Sequence, residues 1–315
     1  MVIDLVFVIV GLVGLWIGSD LLIKGVKTIA TGFGLSHLFV GLAFVSIGTS
    51  IPEIAVSVSG ALDRLAGFET SGVVVGNSVG SALNQVCLFM GILAFLVPLY
   101  LTRKETMRHG SFLIASALLV FGLAIDGTLS FIDGWIMIAA YITYYLITLL
   151  SEKVMKDGRE SLDKKLIVKN VFYGIFGLVI VLIMSDIVVR NAVHFAESLG
   201  VRQSLVGVLI VGFGTGLPEF SVAIASARQH AMAISMGNLI GSNISDLLLA
   251  LGSGTVISGF VVDKVLVRFD LPVLIFFCFV VVGFLLTRQR ISRLEGTIMI
   301  LLFAIFTYLK LFVIG

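Results

Sequence analysis

Apolar residues run along this chain in long unbroken blocks separated by short polar clusters, without the alternating segments of about ten residues that a membrane barrel strand carries. A block of about 20 apolar residues is what a helix needs to cross hydrocarbon. On that length the pattern predicts ten helices, near 2–28, 36–62, 70–98, 108–125, 132–151, 169–195, 203–228, 231–257, 270–287 and 294–313. Several exceed the minimum, which leaves room for tilt or a break. The first block lacks a basic leader and a small-residue cleavage site, so it reads as a retained span. The predicted fold class is an all-α membrane protein.

One long polar connection, SEKVMKDGRESLDKKLIVKN at 151–170, divides the ten helices into five and five. The halves are copies of each other. GSDLLIKGVKTIATGFGLSHLFVGLAFVSIGTSIPE lies over MSDIVVRNAVHFAESLGVRQSLVGVLIVGFGTGLPE at a constant offset of 166, and GNSVGSALNQ lies over GNLIGSNISD at an offset of 161. The chain therefore reads as a first five-helix repeat at 1–150, a cytoplasmic linker at 151–168 and a second repeat at 169–315. An odd number of spans per unit sends the second copy in from the opposite side, which predicts two inverted repeats. Lysine and arginine, counted on alternate sides, divide fifteen against six. This asymmetry puts the 151–170 connection in the cytoplasm and both termini outside a cell membrane.

Composition agrees with a lipid bilayer as the main partner: 58% of residues are hydrophobic, 13% are charged, and the mean hydropathy is +1.14. The formal net charge of +2 is spread among loops and indicates no nucleic-acid partner. Cys87 and Cys278 lie inside apolar segments without disulfide or zinc spacing.

The candidate chemistry lies in GTSIPE, Gly48 to Glu53, and its copy GTGLPE, Gly214 to Glu219. Proline has no N–H, and its ring clashes with the carbonyl four residues back, so Pro52 and Pro218 free carbonyls around Gly48 and Gly214. Within a membrane such groups are tolerated only where protein, water or a ligand satisfies them. Helical i, i+4 spacing puts Thr49 with Glu53 and Thr215 with Glu219 on one face. The third and eighth helices each carry a similar polar stripe: Asn77, Ser81 and Gln85, and Asn238, Ser242 and Asp246. Four oxygen-bearing helices related by duplication point to one central site.

A carboxylate at membrane depth costs about 2.5–3.5 kcal/mol even on the more lenient scale, so Glu53, Glu219 and Asp246 read as functional. The alternative is a set of hydrogen-bonded or protonated acids that only lock helices together. Oxygen ligands without histidine or cysteine select hard cations: calcium, sodium, magnesium or manganese. Clustered carboxylates can be neutralised by one divalent ion, by monovalent ions or by protons, and mutually exclusive occupancy is the physical basis of antiport. A channel is disfavoured because channels ring an axis with several subunits, whereas one chain here encloses one site, which also makes a monomer the functional unit. No nucleophile–base pair accompanies the acids, so no enzyme and no organic cofactor is expected. Gly76 with Gly80 and Gly237 with Gly241 read as helix-packing pairs. Asp186 with Arg190 reads as a local salt pair, and Asp63, Arg64 and Glu69 as a solvated turn.

The paired GTSIPE and GTGLPE, each followed by GNxxGS, resemble the repeats of the cation/calcium exchanger superfamily, most closely its prokaryotic sodium/calcium exchangers. The resemblance implies a calcium site flanked by sodium sites, with calcium and sodium as transported ions and alternating access made by the first and sixth helices sliding as a pair. It implies calcium ligands at Glu53 and Glu219 with the carbonyls of Thr49 and Thr215. It further implies an inner sodium site from Ser50, Ser81 and the carbonyl of Ser46, and an outer one from Ser242, Thr215 and the carbonyl of Gly212. Two positions depart from that pattern. Gly216 replaces a serine of the second motif, and Gln85 replaces an asparagine or aspartate in a manner similar to the proton-coupled branch. The resemblance thus implies a sodium-coupled calcium antiporter, with proton coupling as the alternative.

Overall fold

The structure, a computed structural model, describes residues 2–32, 46–151, 164–228 and 232–314. Most of the predicted linker at 151–168 and the first part of the predicted span at 36–62 lie outside the described residues. The first half contributes α1 (Val2–Gly32), α2 (Ser46–Thr49), α3 (Ile51–Leu65), α4 (Ser71–Leu96), α5 (Arg103–Ala124) and α6 (Phe131–Ser151). The second contributes α7 (Lys164–Leu199), α8 (203–215), α9 (Leu217–Arg228), α10 (232–258), α11 (Leu266–Arg288) and α12 (293–314). Wider π turns interrupt α4 at Asn84–Phe89, α8 at Gly207–Val211 and α10 at Asp246–Ala250.

Among the described residues, eight helices are long and apolar enough to cross a membrane, with α8 and α9 counted as one run, Gln203–Arg228. α1 carries a shorter apolar stretch, Val2–Gly18. The protein is an integral membrane protein. Its most enclosed helices are α4 and α10, each 78% buried over its apolar window, against 22% for α7. The outer faces of α1 and α7 instead expose Phe7, Val13, Phe172 and Ile183, as lipid contact requires.

Two helix starts follow from local sequence. Thr102 accepts from the Glu105 amide while Glu105 accepts from the Thr102 amide, and Ser292 and Glu295 do the same at α12. Short antiparallel ribbons tie the halves together: β1 (Leu99–Tyr100) pairs with β4 (Arg290–Ile291), and β2 (Thr128–Leu129) with β3 (Phe260–Val261).

Glycine allows the closest helix contacts. A Cβ on Gly80 would lie 2.4 Å from the Val208 carbonyl oxygen, and one on Gly212 2.6 Å from the Ser81 amide nitrogen. α4 and α8 therefore meet backbone to backbone. On α1, Gly11, Gly14 and Gly18 similarly admit Val188, Met184 and Val181 of α7. The buried apolar residues form two clusters. One spans most of the molecule, and the other joins α1 and α7 to one side of α3, α4 and α8.

Asp186 pairs with Arg190 at 2.9 Å, the local pair predicted from their spacing. The predicted solvated turn holds for Glu69, whose side chain is 57% exposed, and is corrected for Asp63 and Arg64. Asp63 is only 5% exposed and accepts from Arg190 at 2.6 Å, while Arg64 donates to the carbonyls of Ser258 and Gly259 at 2.8 and 2.9 Å. Local spacing gave no sign of partners more than a hundred residues away. Cys87 and Cys278 are buried free thiols, and Cys87 donates to the Met299 carbonyl.

Candidate cation site

The two proline motifs break their helices in matching ways. α2 ends at Thr49 and α3 begins at Ile51, with Ser50 between them at φ −78°, ψ 3°. α8 ends at Thr215 and α9 begins at Leu217, with Gly216 at φ −75°, ψ −4°. A ψ near zero opens the helix by one residue, and the missing N–H of Pro52 and Pro218 leaves the carbonyls behind them without their usual helical donors.

This geometry turns Glu53 and Glu219 toward each other. One carboxylate oxygen from each, with one from Asp246, all lie within 4.8 Å of one another, and the three residues are 0% exposed. Neither carboxylate oxygen of Glu219, nor Oε2 of Glu53, nor Oδ1 of Asp246 has a well-formed hydrogen bond. Buried acceptors without donors are rare because each costs about 1–3 kcal/mol, so this set is built for a positive ligand.

Every candidate side chain read from the sequence is buried here. Ser81 Oγ lies 3.0 Å from Glu53 Oε1 and 3.0 Å from Asp246 Oδ2. Gln85 donates to Asp246 Oδ2 at 2.7 Å and to Ser81 Oγ at 3.0 Å. Thr215 donates to Asn77 Oδ1 at 2.9 Å, and Asn238 donates to the Glu219 carbonyl at 3.1 Å. Thr49 Oγ1 lies 3.2 Å from both the Ser46 carbonyl and Ser242 Oγ, and 3.5 Å from Asn238 Oδ1. Ser50 Oγ is buried without a well-formed bond.

The serines cross relative to the predicted grouping. Ser242, expected beside Gly212, lies 3.5 Å from the Ser46 carbonyl and against Thr49. Ser81, expected beside Ser46, instead backs onto Gly212 and Gly216, where a Cβ on Gly216 would be 3.5 Å from its hydroxyl. The cause is packing: α4 crosses α8, while α10 lies against α2. A residue missed from the sequence is Phe89, whose ring edge would lie 3.0 Å from that same Cβ. Its signal was the mismatch between repeats, since Phe89 aligns with Ala250 at the offset of 161 and Gly216 with Ser50 at the offset of 166.

A helical membrane protein with broken spans, and with three buried carboxylates sharing one oxygen-lined centre, belongs to the class of membrane cation transporters. The chain belongs to the sodium/calcium exchanger protein family, whose sequence profile matches residues 3–150 and 169–312. The sodium/calcium exchanger MaX1 of Methanosarcina acetivorans is 28% identical, over 96% of this chain and 97% of its own. The inner membrane protein YrbG of Escherichia coli is 28% identical over 85% of this chain and 84% of its own. A solved structure of the sodium-calcium exchanger NCX_Mj, soaked with sodium and strontium, matches with a TM-score of 0.67, 27% identity and 97% coverage of both chains. The protein is thus a cation/calcium exchanger, a transporter.

Proposed function

We propose that this protein is a secondary active antiporter that exchanges calcium for sodium by alternating access across the cell membrane. The observation that carries the reading is the buried carboxylate trio within 4.8 Å, with an oxygen on each of the three residues that makes no well-formed hydrogen bond. MaX1 and NCX_Mj are sodium/calcium exchangers by name, which supports sodium as the coupling ion.

In this reading calcium is held by Glu53 and Glu219 with the carbonyls of Thr49 and Thr215. One flanking cation position draws on Ser50, Ser242 and the Ser46 carbonyl, and its repeat image is lined by Ser81, Thr215 and the Gly212 carbonyl. Asp246, Gln85, Asn77 and Asn238 complete the polar shell. Ten spans form two inverted repeats of residues 1–150 and 169–315, with the termini outside and the connection at 151–168 cytoplasmic. The ribbons support a two-fold relation: β1 aligns with β3 and β2 with β4 in the repeat, and β1–β4 and β2–β3 are therefore each other's images. The separate cluster around α1 and α7 supports that pair as the moving element.

Proton coupling is the second reading. It is favoured by Gln85, whose amide occupies one oxygen of Asp246 at 2.7 Å where a charged or shorter ligand would leave more room for a metal ion. Calcium-45 uptake into proteoliposomes under separate sodium and pH gradients decides between them. Uptake driven by sodium and indifferent to pH supports the first reading, and the converse pattern rejects it.

A further inference from the structure

The two halves are alike in sequence, but the flanks of the acidic centre differ. On the first-half side stand Ser50, whose buried hydroxyl makes no well-formed hydrogen bond, and Ser242, whose hydroxyl lies 3.2 Å from Thr49 Oγ1. The images of these residues on the other side are Gly216, which has no hydroxyl, and Ser81. Among the described residues Ser81 makes no hydrogen bond to Thr215, the image of Thr49, and is turned to Glu53 and Asp246 at 3.0 Å each.

The space a serine side chain would take at Gly216 is bounded by the Phe89 ring at 3.0 Å, nearer than the two oxygens beside it, the Gly212 carbonyl at 3.3 Å and Ser81 Oγ at 3.5 Å. Phe89 is 1% exposed, stacks on Phe220 with ring centroids 4.6 Å apart and 20° between planes, and tilts against Phe213 at 5.8 Å. Its repeat image is Ala250, and the images of Phe213 and Phe220 are Ile47 and Ile54. The aromatic cluster therefore exists on one flank only. At 3.0 Å from the ring, even a Cβ at position 216 would force the neighbour to yield, so the glycine and the phenylalanine belong together. Sodium needs oxygen ligands to replace its water. This flank offers one hydroxyl fewer and an apolar wall.

We propose that Phe89, packed on Gly216, closes the second-half flanking position to cations, so that the exchanger couples calcium to one monovalent ion fewer than its duplicated architecture has room for. The inference rests on the sodium-coupled reading above. Its test is the coupling ratio of the purified full chain in proteoliposomes, with the potential clamped at zero and calcium-45 flux nulled against an imposed sodium gradient. Each coupled ion in a tenfold gradient carries about 1.4 kcal/mol, so one more ion raises the balanced calcium gradient about tenfold. The double variant Phe89→Ala with Gly216→Ser, which copies the Ala250 and Ser50 flank, is expected to show that rise. Phe89→Ala alone, which removes the wall and keeps Gly216, is expected to raise the balanced gradient in the same direction, and it keeps the proposal testable if the double variant does not fold. An unchanged ratio in both Phe89 variants that fold, with sodium-driven flux intact in the parent, overturns this inference alone. A parent without sodium-driven flux overturns the coupling reading and this inference with it.

Discussion

Replacing Glu219 with glutamine tests the acidic centre most directly, because it removes one charge and preserves shape. At the 4.8 Å limit of the cluster, two ionised carboxylates repel by about 3.5 kcal/mol at an effective dielectric near 20. A centre of three such groups keeps its charge only when a cation shares it. Removing one partner from a buried charged set costs about 3–5 kcal/mol of interaction, so calcium affinity should fall by roughly two to three and a half orders of magnitude. The ion-free protein should respond in the opposite sense. The amide can donate to Glu53 or Asp246, relieving acceptors that have no well-formed bonds, and the gain is about 1–3 kcal/mol. Thermal unfolding in detergent, with and without calcium, reads both effects. The expected result for Glu219→Gln is a raised Tm without calcium and the loss of the calcium-dependent rise. A variant that keeps the parent's calcium shift, or that is destabilised equally with and without calcium, would refute the assignment of Glu219 as an ion ligand.

Three further outcomes are expected. Asp270 and Lys310 form an ion pair at 0% and 1% exposure, so Asp270→Asn should lose about 3–5 kcal/mol of stability, whereas Asp270→Leu with Lys310→Met should lie near the parent; a denaturation series on the three proteins checks this. Gly80→Ala would drive a Cβ to 2.4 Å from the Val208 carbonyl oxygen and 2.5 Å from its Cα, and the forced separation of α4 from α8 should cost at least about 1–3 kcal/mol and lower calcium flux, measured as Tm and calcium-45 uptake. A Cβ on Gly214 would overlap Leu12 at 2.4 Å, so a disulfide between Leu12→Cys and Gly214→Cys should stop exchange until reduced, and exchange that persists with the bond formed would mean that α1 does not move against α8.

The span pattern was legible because apolar length alone decides it, and eight described helices carry that length. The acidic centre was legible for a different reason: a carboxylate at membrane depth must have a partner, and proline beside it marks broken backbone. The remainder depended on tertiary contacts that leave no local mark. Nothing in the residues Asn84–Phe89 or Asp246–Ala250 announces a π turn, which inserts a residue into the helix and changes which side chains face inward. An ideal i, i+4 count from Asn77 passes Ser81 and Gln85 and arrives at Phe89, which was passed over because it carries no oxygen. The crossed positions of Ser81 and Ser242 follow from which helix lies over which, and Asp63 looked solvent-facing until α7 brought Arg190 to 2.6 Å.

Where motion can occur follows from how each contact is made. α4 and α8 are joined by backbone-level contacts: Gly76 and Gly80 of α4, and Gly207 and Gly212 of α8, each have main-chain atoms of the other helix where a Cβ would sit. Shifting these helices past each other would lift main chain over main chain and strip the acidic centre of its carbonyls. Among the described residues the α1–α7 pair meets the rest of the molecule mainly through apolar side chains, with Leu12 on Gly214, His194 against the Phe68 ring, and the half-exposed Arg190 on the buried Asp63. Lipid tails are as apolar as these side chains, so sliding the pair changes packing without a hydrophobic penalty. The Arg190–Asp63 pair is buried at its carboxylate end, so it is a tie that the sliding pair must carry along or break at a cost. Leu12 caps the break at Gly214, while its repeat image, Leu178, is 43% exposed on the outer face of α7. The pair is thus seated on one of the two helix breaks, and an equivalent seat on the other would exchange the roles of these two leucines. With α4 and α8 locked backbone to backbone and the α1–α7 pair packed through side chains, freedom of movement in this fold lies with that pair.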